Sequence, residues 1–557
     1  MTYKRLHPLF AATVSFTLST GLLASTAMAQ DTAPITVNGD QTRTFAPDYF
    51  EQFAPLSALD MINRIPGFQL TGGNGRRGLG QGGANVLING QRISGKSNPS
   101  DQIGRITAKN VVKIEIVDAN SLNIPGLSGQ VANITTKSTG MTGTWEWSPE
   151  WRENLEPRIA HGSITLSGEK GNLAYTAELQ SNVQRNGHLG PEERRTATGD
   201  LFEIRDETAK YNNENPGASL NLTWTPKDQH VGNLNLEYYL FNANNNTLSI
   251  LSQKGPGGAT GQHIFSRAED EWNAKIDGDY EFPAGDGMLK LIGYYRAEHS
   301  PTVSRFDAYS ETAHVESTRF FQVADEGEAI ARAEYSWSRG QGRDWQVGLE
   351  GAFNFLDIEN QFIDVLVPAN SDSMNTSRVD EKRAEANITH TRTISPKWDV
   401  QISAGSEYSQ LSQGNLQREF FRPKGFISAT YKPTDTLTIR PKIEREVGQL
   451  NFFDFISSVS LQDNLNTTGN PDLVPSQSWT GEVEFDRQFT GGHTFKARVY
   501  GAKISDLVDR IPIGLTGDAV GNIDATDFHK DLIHEAMETI KDVKNQLASM
   551  MVLLMPG

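Results

Sequence analysis

Alternation of apolar and polar residues, repeated in segment after segment from about Thr142 onward, is the feature that most limits what this chain can fold into. Between Leu234 and Leu240, for example, every second residue is apolar and faces away from Asn, Glu or Tyr. The same period recurs in Leu173–Leu179, Leu289–Tyr295, Ala331–Trp337, Trp345–Phe355, Trp479–Phe485 and Phe495–Gly501. Successive side chains of a strand point to opposite faces, so the pattern predicts strands with one apolar and one polar face. Segments of about ten residues of this kind are typical of a membrane-spanning β-barrel with a wet interior.

The composition agrees with a single-layered β-sheet rather than with a large buried core. Hydrophobic residues make up 37% of the 557 residues, whereas soluble proteins have roughly 45–50%. Several tryptophans lie towards the ends of predicted strands, where aromatic girdles meet the membrane surface. They are Trp145, Trp147, Trp151, Trp337, Trp345, Trp398 and Trp479. A soluble array of β-sandwiches is the alternative, but sandwiches rarely keep charges such as Lys496 and Arg498 on the second face of strand after strand.

Charge and cysteine content exclude several classes of function. The formal net charge is −17, from 51 basic and 68 acidic residues, and this balance argues against a basic groove for nucleic acid. The chain has no cysteine, so disulfides, thiolate metal sites and cysteine nucleophiles are all excluded. A cysteine-free chain is compatible with an oxidising compartment.

The first residues have the three parts of a cleaved secretory signal peptide. Lys4 and Arg5 precede an apolar stretch from Leu9 to about Leu23, and the small-residue site Ala27–Ala29 follows. We expect cleavage after Ala29 and export of the rest of the chain. A membrane anchor is the alternative, but four Ser and Thr residues interrupt the apolar stretch, and no later segment has the roughly 18 apolar residues of a spanning helix.

The sequence GGNGRRGLGQGGANVLING at residues 72–90 satisfies the dinucleotide fingerprint G-x-G-x-x-G twice. A nucleotide site requires these glycines to open a helix, because the phosphates bind the free N–H groups of its first turn. Here a β-branched run, Val86–Ile88, and the turn pair Asn89-Gly90 follow instead. The sequence therefore predicts a glycine loop between strands and no cofactor.

The segments on either side of this loop follow a recognisable order. Ser57 can cap a short helix that Pro66-Gly67 ends, and the strands Val112–Val117 and Val131–Lys137 come after the loop. With the strand that ends at Gly90, this order resembles the plug domain of TonB-dependent outer-membrane receptors. The chain departs from the family pattern at Asn89, at Asp118-Ala119 and at Ala132.

The resemblance implies a mainly β fold, in which a small α/β plug domain precedes a large antiparallel transmembrane β-barrel. We expect a signal peptide at residues 1–29, the TonB-box region and plug at 30–140, the barrel at 141–522 and a helical tail at 523–557. About 17 to 19 strands are recognisable before residue 505, where the family has 22. Residues 469–476, GNPDLVPS, resemble an element that precedes the later barrel strands. The barrel is therefore expected to be incomplete, followed by a tail with apolar residues at helical spacing.

The same resemblance implies a receptor for energised uptake of a scarce solute across the outer membrane of a Gram-negative bacterium. Its expected partners are the TonB complex of the inner membrane, outer-membrane lipid and a small solute such as a siderophore-type chelate, a vitamin or an oligosaccharide. Pro34, Ile35, Thr36, Val37 and Asn38 form the candidate TonB box, which TonB binds by strand addition. Arg76, Arg77 and Arg92 are the candidate ligand-binding residues, suited to an anionic chelate.

No catalytic or metal motif stands out from the background of alternating charged residues. H-E-x-x-H, G-x-S-x-G and P-loop patterns are absent, and the eleven histidines are not paired at ligand spacing. We therefore expect neither an enzyme nor a bound cofactor. The alternatives are a non-transporting outer-membrane barrel or adhesin, a truncated and inactive receptor, and a secreted carbohydrate-active protein built of β-sandwiches.

Overall fold

The computed structural model describes residues 36–37 and 42–524, apart from short gaps. These gaps are 72–77, 80–83, 94–95, 97, 120–121, 123, 125–126, 128, 138–139, 197, 341, 463–464, 490–493 and 514–518. The predicted signal peptide and residues 525–557 of the predicted tail lie outside the described residues.

The first part of the chain folds into a small mixed unit, which we call the N-terminal unit. Its strands are β1 (Thr36–Val37), β2 (Arg43–Phe45), β3 (Val86–Ile88), β4 (Gln91–Arg92), β5 (Val111–Asp118) and β6 (Gln130–Thr136). Its helices are α1 (Pro47–Phe50), α2 (Ala58–Ile62) and α3 (Pro99–Gly104), with 3-10 turns at Glu51–Phe53 and Ala108–Asn110. The strands form one sheet in the order β1-β2-β5-β6-β3-β4. The helices pack on it around a core that includes Phe45, Phe50, Met61 and Ile114.

Local sequence signals explain two features of this unit. Ser57 and Asp60 form a capping box at the start of α2, in which the Ser57 hydroxyl accepts from the Asp60 N–H and the Asp60 carboxylate accepts from the Ser57 N–H. Asn89 and Gly90 join β3 to β4 with φ of 53° and 80°, the left-handed pair that a two-residue hairpin turn requires. The predicted helix and turn are confirmed at both places. No helix among the described residues is long and apolar enough to cross a membrane.

The rest of the described chain is dominated by one large antiparallel sheet, which we call the wall. Its strands are β7 (Thr142–Trp147), β8 (Gly162–Lys170), β9 (Leu173–Arg195), β10 (Leu201–Lys227), β11 (His230–Gln253), β12 (Gly261–Ala284), β13 (Gly287–Tyr309), β14 (His314–Ser338), β15 (Arg343–Asp364), β16 (Asn375–Ser395), β17 (Trp398–Gln413), β18 (Leu416–Thr434), β19 (Leu437–Val447), β22 (Gln477–Gln488) and β23 (Thr494–Ser505). Each pairs with the next in that order, so that β7 and β23 are the edge strands of the described sheet. The predicted up-and-down wall is confirmed.

The described residues between Thr142 and Ser505 contain 17 strands, at the lower end of the predicted count, and 15 of them belong to the wall. The other two, β20 (Ser458–Ser460) and β21 (Leu465–Thr468), form a small separate sheet with β24 (Val508–Ile513) and β25 (Ala519–Asp524). Many wall strands are much longer than the predicted ten residues, and β10 has 27. Periodicity alone does not mark where a long strand leaves the membrane, so length was the poorer part of the prediction.

The wall has two chemically different faces. We call the face that touches the N-terminal unit the inner face, and it carries mostly polar residues, as in β16, where Glu381, Arg383 and Glu385 are buried on this side. The outer face of β11 runs from Leu234 to Leu240 in apolar residues and then changes to asparagine. This apolar belt matches the membrane-spanning pattern expected of a barrel strand.

Aromatic pairs mark one end of the belt, close to the end of the wall where several connections have only two residues. The Trp337 and Trp345 rings stack with centroids 6.3 Å apart, and the Trp398 and Tyr431 rings stack at 4.3 Å. We call this the short-turn end, because β8–β9, β10–β11, β12–β13, β16–β17 and β18–β19 are each joined there by two residues. The opposite end is the loop end.

The longest described connection of the wall, residues 448–476 between β19 and β22, folds inward at the loop end, and we call it the lid. Leu473, Phe455 and Ile456 of the lid are buried against inner-face residues of the wall. The wall residues in this cluster are Ala324, Leu356, Ile358, Val379, Leu411 and Phe420, on β14–β18. A second cluster joins Leu461 to Phe265 and Phe320 on β12 and β14. The lid therefore covers the inner face of β12–β18 at the loop end.

Candidate functional site: contacts between the N-terminal unit and the wall

The N-terminal unit is fastened to the inner face near the short-turn end, through three groups of polar contacts. The groups lie on separate parts of the wall: β9–β11, β14–β18, and β18–β22. Alternation along the strands places these partners inward, and the two-residue turns fix the register that brings them to one level. This interface is the candidate functional site.

The middle group rests on a row of buried charges that crosses five neighbouring strands, which we call the ion chain. Its members are Arg332, Glu334, Glu350, Arg383, Glu385, Glu407 and Lys424. Arg383 Nη2 lies 2.9 Å from Glu350 Oε1, and Lys424 Nζ lies 3.2 Å from Glu407 Oε2. No side chain of the ion chain is more than 6% exposed. Charges buried this deeply require their partners, because an uncompensated buried charge costs several kcal/mol.

The glycine loop of the N-terminal unit lies directly on the ion chain. Leu79 N–H donates to Glu350 Oε2 at 2.9 Å. Gly78 has φ of 84°, and a Cβ there would lie 2.2 Å from Glu350 Oε1. A side chain at this position would collide with the wall. The described part of the loop thus binds a carboxylate of the wall, and the predicted absence of a helix after it is confirmed by β3.

The group on β18–β22 joins the ends of β5 and β6 to the wall. Asp118 Oδ2 accepts from Arg440 Nε at 2.7 Å, and Asp118 Oδ1 accepts from Thr430 Oγ1 at 2.8 Å. Gln130, which lies opposite Asp118 in the β5–β6 register, donates to Asp486. Arg440 also lies 2.9 Å from Glu484 Oε1, so that its charge is shared between the unit and the wall.

A cavity of about 20 Å³ lies at this group, lined by Arg43 of β2 as well as by Asp118, Gln130, Arg440 and Asp486. That volume is enough for one water molecule. Burial lowers the pKa of Arg43, although Asp486 acts in the opposite direction. Arg43 also donates to the Pro66 carbonyl at 2.7 Å, which ties β2 to the segment after α2.

The group on β9–β11 is centred on Arg105, just after α3. Its guanidinium lies 2.8 Å from Glu178 on β9 and 3.0 Å from Glu237 on β11. Burial acts to lower the pKa of Arg105, but the two carboxylates outweigh it and the pKa is raised. Nearby, burial raises the pKa of Asp101 on α3, and Arg105 opposes that shift. Lys96 adds a contact with Glu328 on β14, at 2.5 Å.

The structure places the predicted site residues in different surroundings. Thr36 and Val37 of the candidate TonB box form β1, which pairs with β2 at the edge of the N-terminal sheet. Pro34, Ile35, Asn38, Arg76 and Arg77 lie outside the described residues. Arg92, in β4, is half-buried and interacts electrostatically with Glu334 of the ion chain. Among the predicted residues, the structure thus ties only Arg92 to the described interface.

Sequence reasoning missed the residues that fasten the unit: Arg105, Lys96, Asp118, Gln130 and their wall partners. Asp118 was noticed only as a departure from the family pattern, and that departure was the available signal. The wall partners were hidden because every inner face is rich in charges. Among the described residues no three His, Asp or Glu side chains are grouped so as to hold a metal ion.

Comparison with known proteins agrees with this architecture. A family model described as TonB dependent receptor-like, beta-barrel, matches residues 220–529, more than half of the chain. No curated protein sequence matches the chain.

Three solved structures illustrate the similarity. The ferripyoverdine receptor of the outer membrane of Pseudomonas aeruginosa is 10% identical, with a TM-score of 0.42 over 87% of this chain and 66% of that one. The alcaligin outer-membrane receptor of Bordetella pertussis is 12% identical, with a TM-score of 0.38 over 87% and 75%. A double mutant of the Serratia marcescens hemophore receptor, in complex with its hemophore and heme, is 12% identical, with a TM-score of 0.44 over 87% and 77%. This chain spans about two thirds to three quarters of the length of these structures.

The family match runs from within β10 to the last described strands, so it covers the wall strands that carry the ion chain and the Asp118 contacts. A strand-built wall with an apolar outer belt and a small α/β unit on its inner face is the architecture that the sequence predicted. By its family match, this chain belongs to the TonB-dependent receptors.

Proposed function

We propose that this chain is an outer-membrane receptor that takes up a scarce solute with energy delivered through TonB. The observation that carries the proposal is the fastening of the N-terminal unit across the inner face by buried ion pairs. A solute cannot pass the short-turn end while the unit remains there. Each buried pair that joins the unit to the wall must be broken before the unit can leave, so several pairs together keep the unit in place until work is done on it.

The strand order of the N-terminal sheet gives a route for that work. The candidate TonB box, Pro34–Asn38, contains β1, which pairs with β2, which in turn pairs with β5 through Arg43↔Ile116 and Phe45↔Ile114. Asp118 at the end of β5 is held by Arg440. A pull on the box would therefore strip β1 and then β2, and would next act on β5, whose end is held at Asp118.

The solute would arrive from the loop end and meet the N-terminal unit from that side. We propose Arg76, Arg77 and Arg92 as residues that contact it. An arginine side chain offers five N–H donors in a planar fork, which bind the oxygens of a charged chelate or of a neutral solute.

The box is tested by deleting residues 34–39 and measuring binding of the periplasmic domain of TonB to the purified receptor. We expect binding to be lost, because strand addition requires the backbone N–H and C=O groups of that segment. Thr36→Pro removes one of those donors and is expected to weaken binding, whereas Gln41→Pro, outside the box, serves as the matched control.

In cells, the same deletion is expected to reduce solute accumulation to the level of a strain without TonB. Unchanged TonB binding after the deletion would remove the box from residues 34–39. Accumulation that is independent of both the box and TonB would remove energised uptake.

A further inference from the structure

One band of the inner face that the lid leaves uncovered, on β9, β10 and β11, has no charged side chain. Glu178, Asn221 and Glu237 contact Arg105 of the N-terminal unit, and they fix which side of β9, β10 and β11 faces inward. Because no register shift interrupts the pairing of these strands between Asn221 and Tyr211 of β10, every second residue in that stretch can be assigned to the inner face.

The inward residues just beyond the level of Arg105 are carboxamides and aromatic rings, and we call them the carboxamide patch. The patch consists of Gln180, Asn182, Gln184 and Asn186 on β9, Tyr211, Asn213 and Asn215 on β10, and Tyr239, Phe241 and Asn245 on β11. Gly217 and Ala243 complete the inward positions of the same band. None of these inward positions is acidic or basic.

The rows of the patch run across the strands in register. Asn186 lies opposite Tyr211, and Tyr211 lies opposite Asn245. In the next row, Asn213 lies between Gln184 and Ala243. The patch is therefore a continuous surface three strands wide, which lies directly above the N-terminal unit.

The carboxamides are not occupied in holding the wall together. The side-chain oxygens of Asn213, Asn215 and Asn245 are buried and accept no hydrogen bond from any described residue, so each still lacks a donor. The four carboxamides on β9 are exposed. A carboxamide both donates and accepts, and a solute that offers hydroxyl groups can satisfy both functions at once.

The neighbouring strands of the inner face carry charges where the patch carries carboxamides. Charges return on β12, where Arg267 pairs with Glu269 at 2.9 Å, and the ion chain fills β14–β18. The lid covers β12–β18 at the loop end and leaves the inner face of β9–β11 open. The carboxamides of the patch can replace the water that is bonded to the hydroxyl groups of a neutral solute, which would otherwise be costly to remove. Charged side chains lie at the border of the patch, where Arg267 is opposite Asn245, Glu271 is opposite Phe241, and Lys275 Nζ lies 5.5 Å from the centre of the Tyr239 ring.

We propose that the carboxamide patch is the solute-recognition surface and that the solute is neutral and rich in hydroxyl groups, of the oligosaccharide class. The aromatic rings of Tyr211, Tyr239 and Phe241 supply flat apolar surface for the carbon faces of such a solute, and the carboxamides bond its hydroxyls. The assignment rests on the proposed function for the direction of passage, but binding itself requires no TonB.

The test is binding of neutral glucose, mannose, xylose and N-acetylglucosamine hexaoses to the purified full-length receptor in detergent, measured by calorimetry. A ferric tris-catecholate is the anionic comparison. We expect at least one hexaose to bind and the chelate not to bind. Asn213→Leu and Asn245→Leu, which keep the side-chain size but remove donor and acceptor, are expected to weaken hexaose binding at least tenfold.

The chain offers matched controls on the same strands. Asn212 and Asn244 lie opposite each other on the outer face, one residue away from Asn213 and Asn245. Asn212→Leu and Asn244→Leu should leave the affinity within about twofold of the original. Heat-dependent migration on a gel checks that each variant is folded.

Binding of the chelate in place of every hexaose, or equal losses in the inward and outward variants, would overturn the proposal. The outcome is separable from that of the TonB experiment. Deletion of residues 34–39 should abolish uptake and leave hexaose binding intact, so failure of one proposal does not imply failure of the other.

Discussion

Single residues of the N-terminal unit affect the interface mainly through steric contact and charge pairing with the wall. Gly78 is the clearest case, since it combines a positive φ with close approach to Glu350 and Arg383. Gly90 has nearly the same φ, of 80°, but nothing lies within 4 Å of the place a Cβ would take. Comparing substitutions at the two glycines therefore distinguishes the effect of backbone strain from the effect of a steric clash with the wall.

Gly78→Ala is expected to loosen the N-terminal unit more than Gly90→Ala. Both substitutions carry the strain of a left-handed alanine, of about 1 kcal/mol. Only the first pushes a methyl group into the Glu350 carboxylate. Protease protection of the N-terminal unit during thermal unfolding in detergent measures the difference, and equal losses in the two variants would show that the Glu350 contact is unimportant.

Asp101 gives a prediction about pH. Because burial raises its pKa in the folded protein, ionisation of Asp101 opposes folding, and this cost is absent at pH below the ordinary carboxyl pKa and grows as the pH rises through the raised pKa. Asp101→Asn should therefore raise the melting temperature of the N-terminal unit at pH 7, and the gain should shrink towards pH 4. Glu51→Gln, at an exposed position, is the control. A gain that is constant with pH would contradict the assignment.

At the scale of elements, the period-two pattern predicted the wall well because each strand has one face in an apolar medium and one in a polar one. The helix α2 and the Asn89-Gly90 turn were predictable because their signals are local. The lid was not predictable, because its packing depends on inward-facing Leu356, Ile358 and Val379, which look like ordinary strand residues in sequence. The carboxamide patch became visible only when the registers of β9–β11 fixed which side faces inward.

The lid provides a test of packing at this scale. Leu473 is 2% exposed in the lid cluster, and truncating such a residue to alanine costs about 2–5 kcal/mol. Leu473→Ala is expected to release the lid and speed its cleavage by chymotrypsin added outside intact cells, at sites such as Phe452 and Phe455. Leu416 is 54% exposed, so chymotrypsin should cleave the lid of the Leu416→Ala variant at the original rate. Identical rates would mean that the cluster does not hold the lid.

At the scale of the whole molecule, the two faces of the wall are suited to different surroundings, lipid on the outside and water or protein on the inside. The outer belt is apolar and has aromatic pairs at one end, while the inner face carries mostly charges and carboxamides, with an apolar cluster under the lid. A protein with such a belt buries it in lipid or detergent, since exposed apolar patches of this size cause association in water.

The protein is therefore expected to need detergent for extraction and to migrate faster on a gel before heating than after it. The folded wall resists the denaturing detergent until heat opens it, which changes its mobility. A monodisperse protein in plain buffer, with one mobility before and after heating, would contradict a membrane location for the wall.

The three fastening groups have one further consequence, for the wall. They touch β9–β11 on one flank, β14 and β15 in the middle, and β18, β19 and β22 on the other flank. A compact body that is held at three places across the width of a sheet limits how far the two flanks of that sheet can move apart. The N-terminal unit therefore acts as an internal brace between distant strands, and this role requires no bound solute.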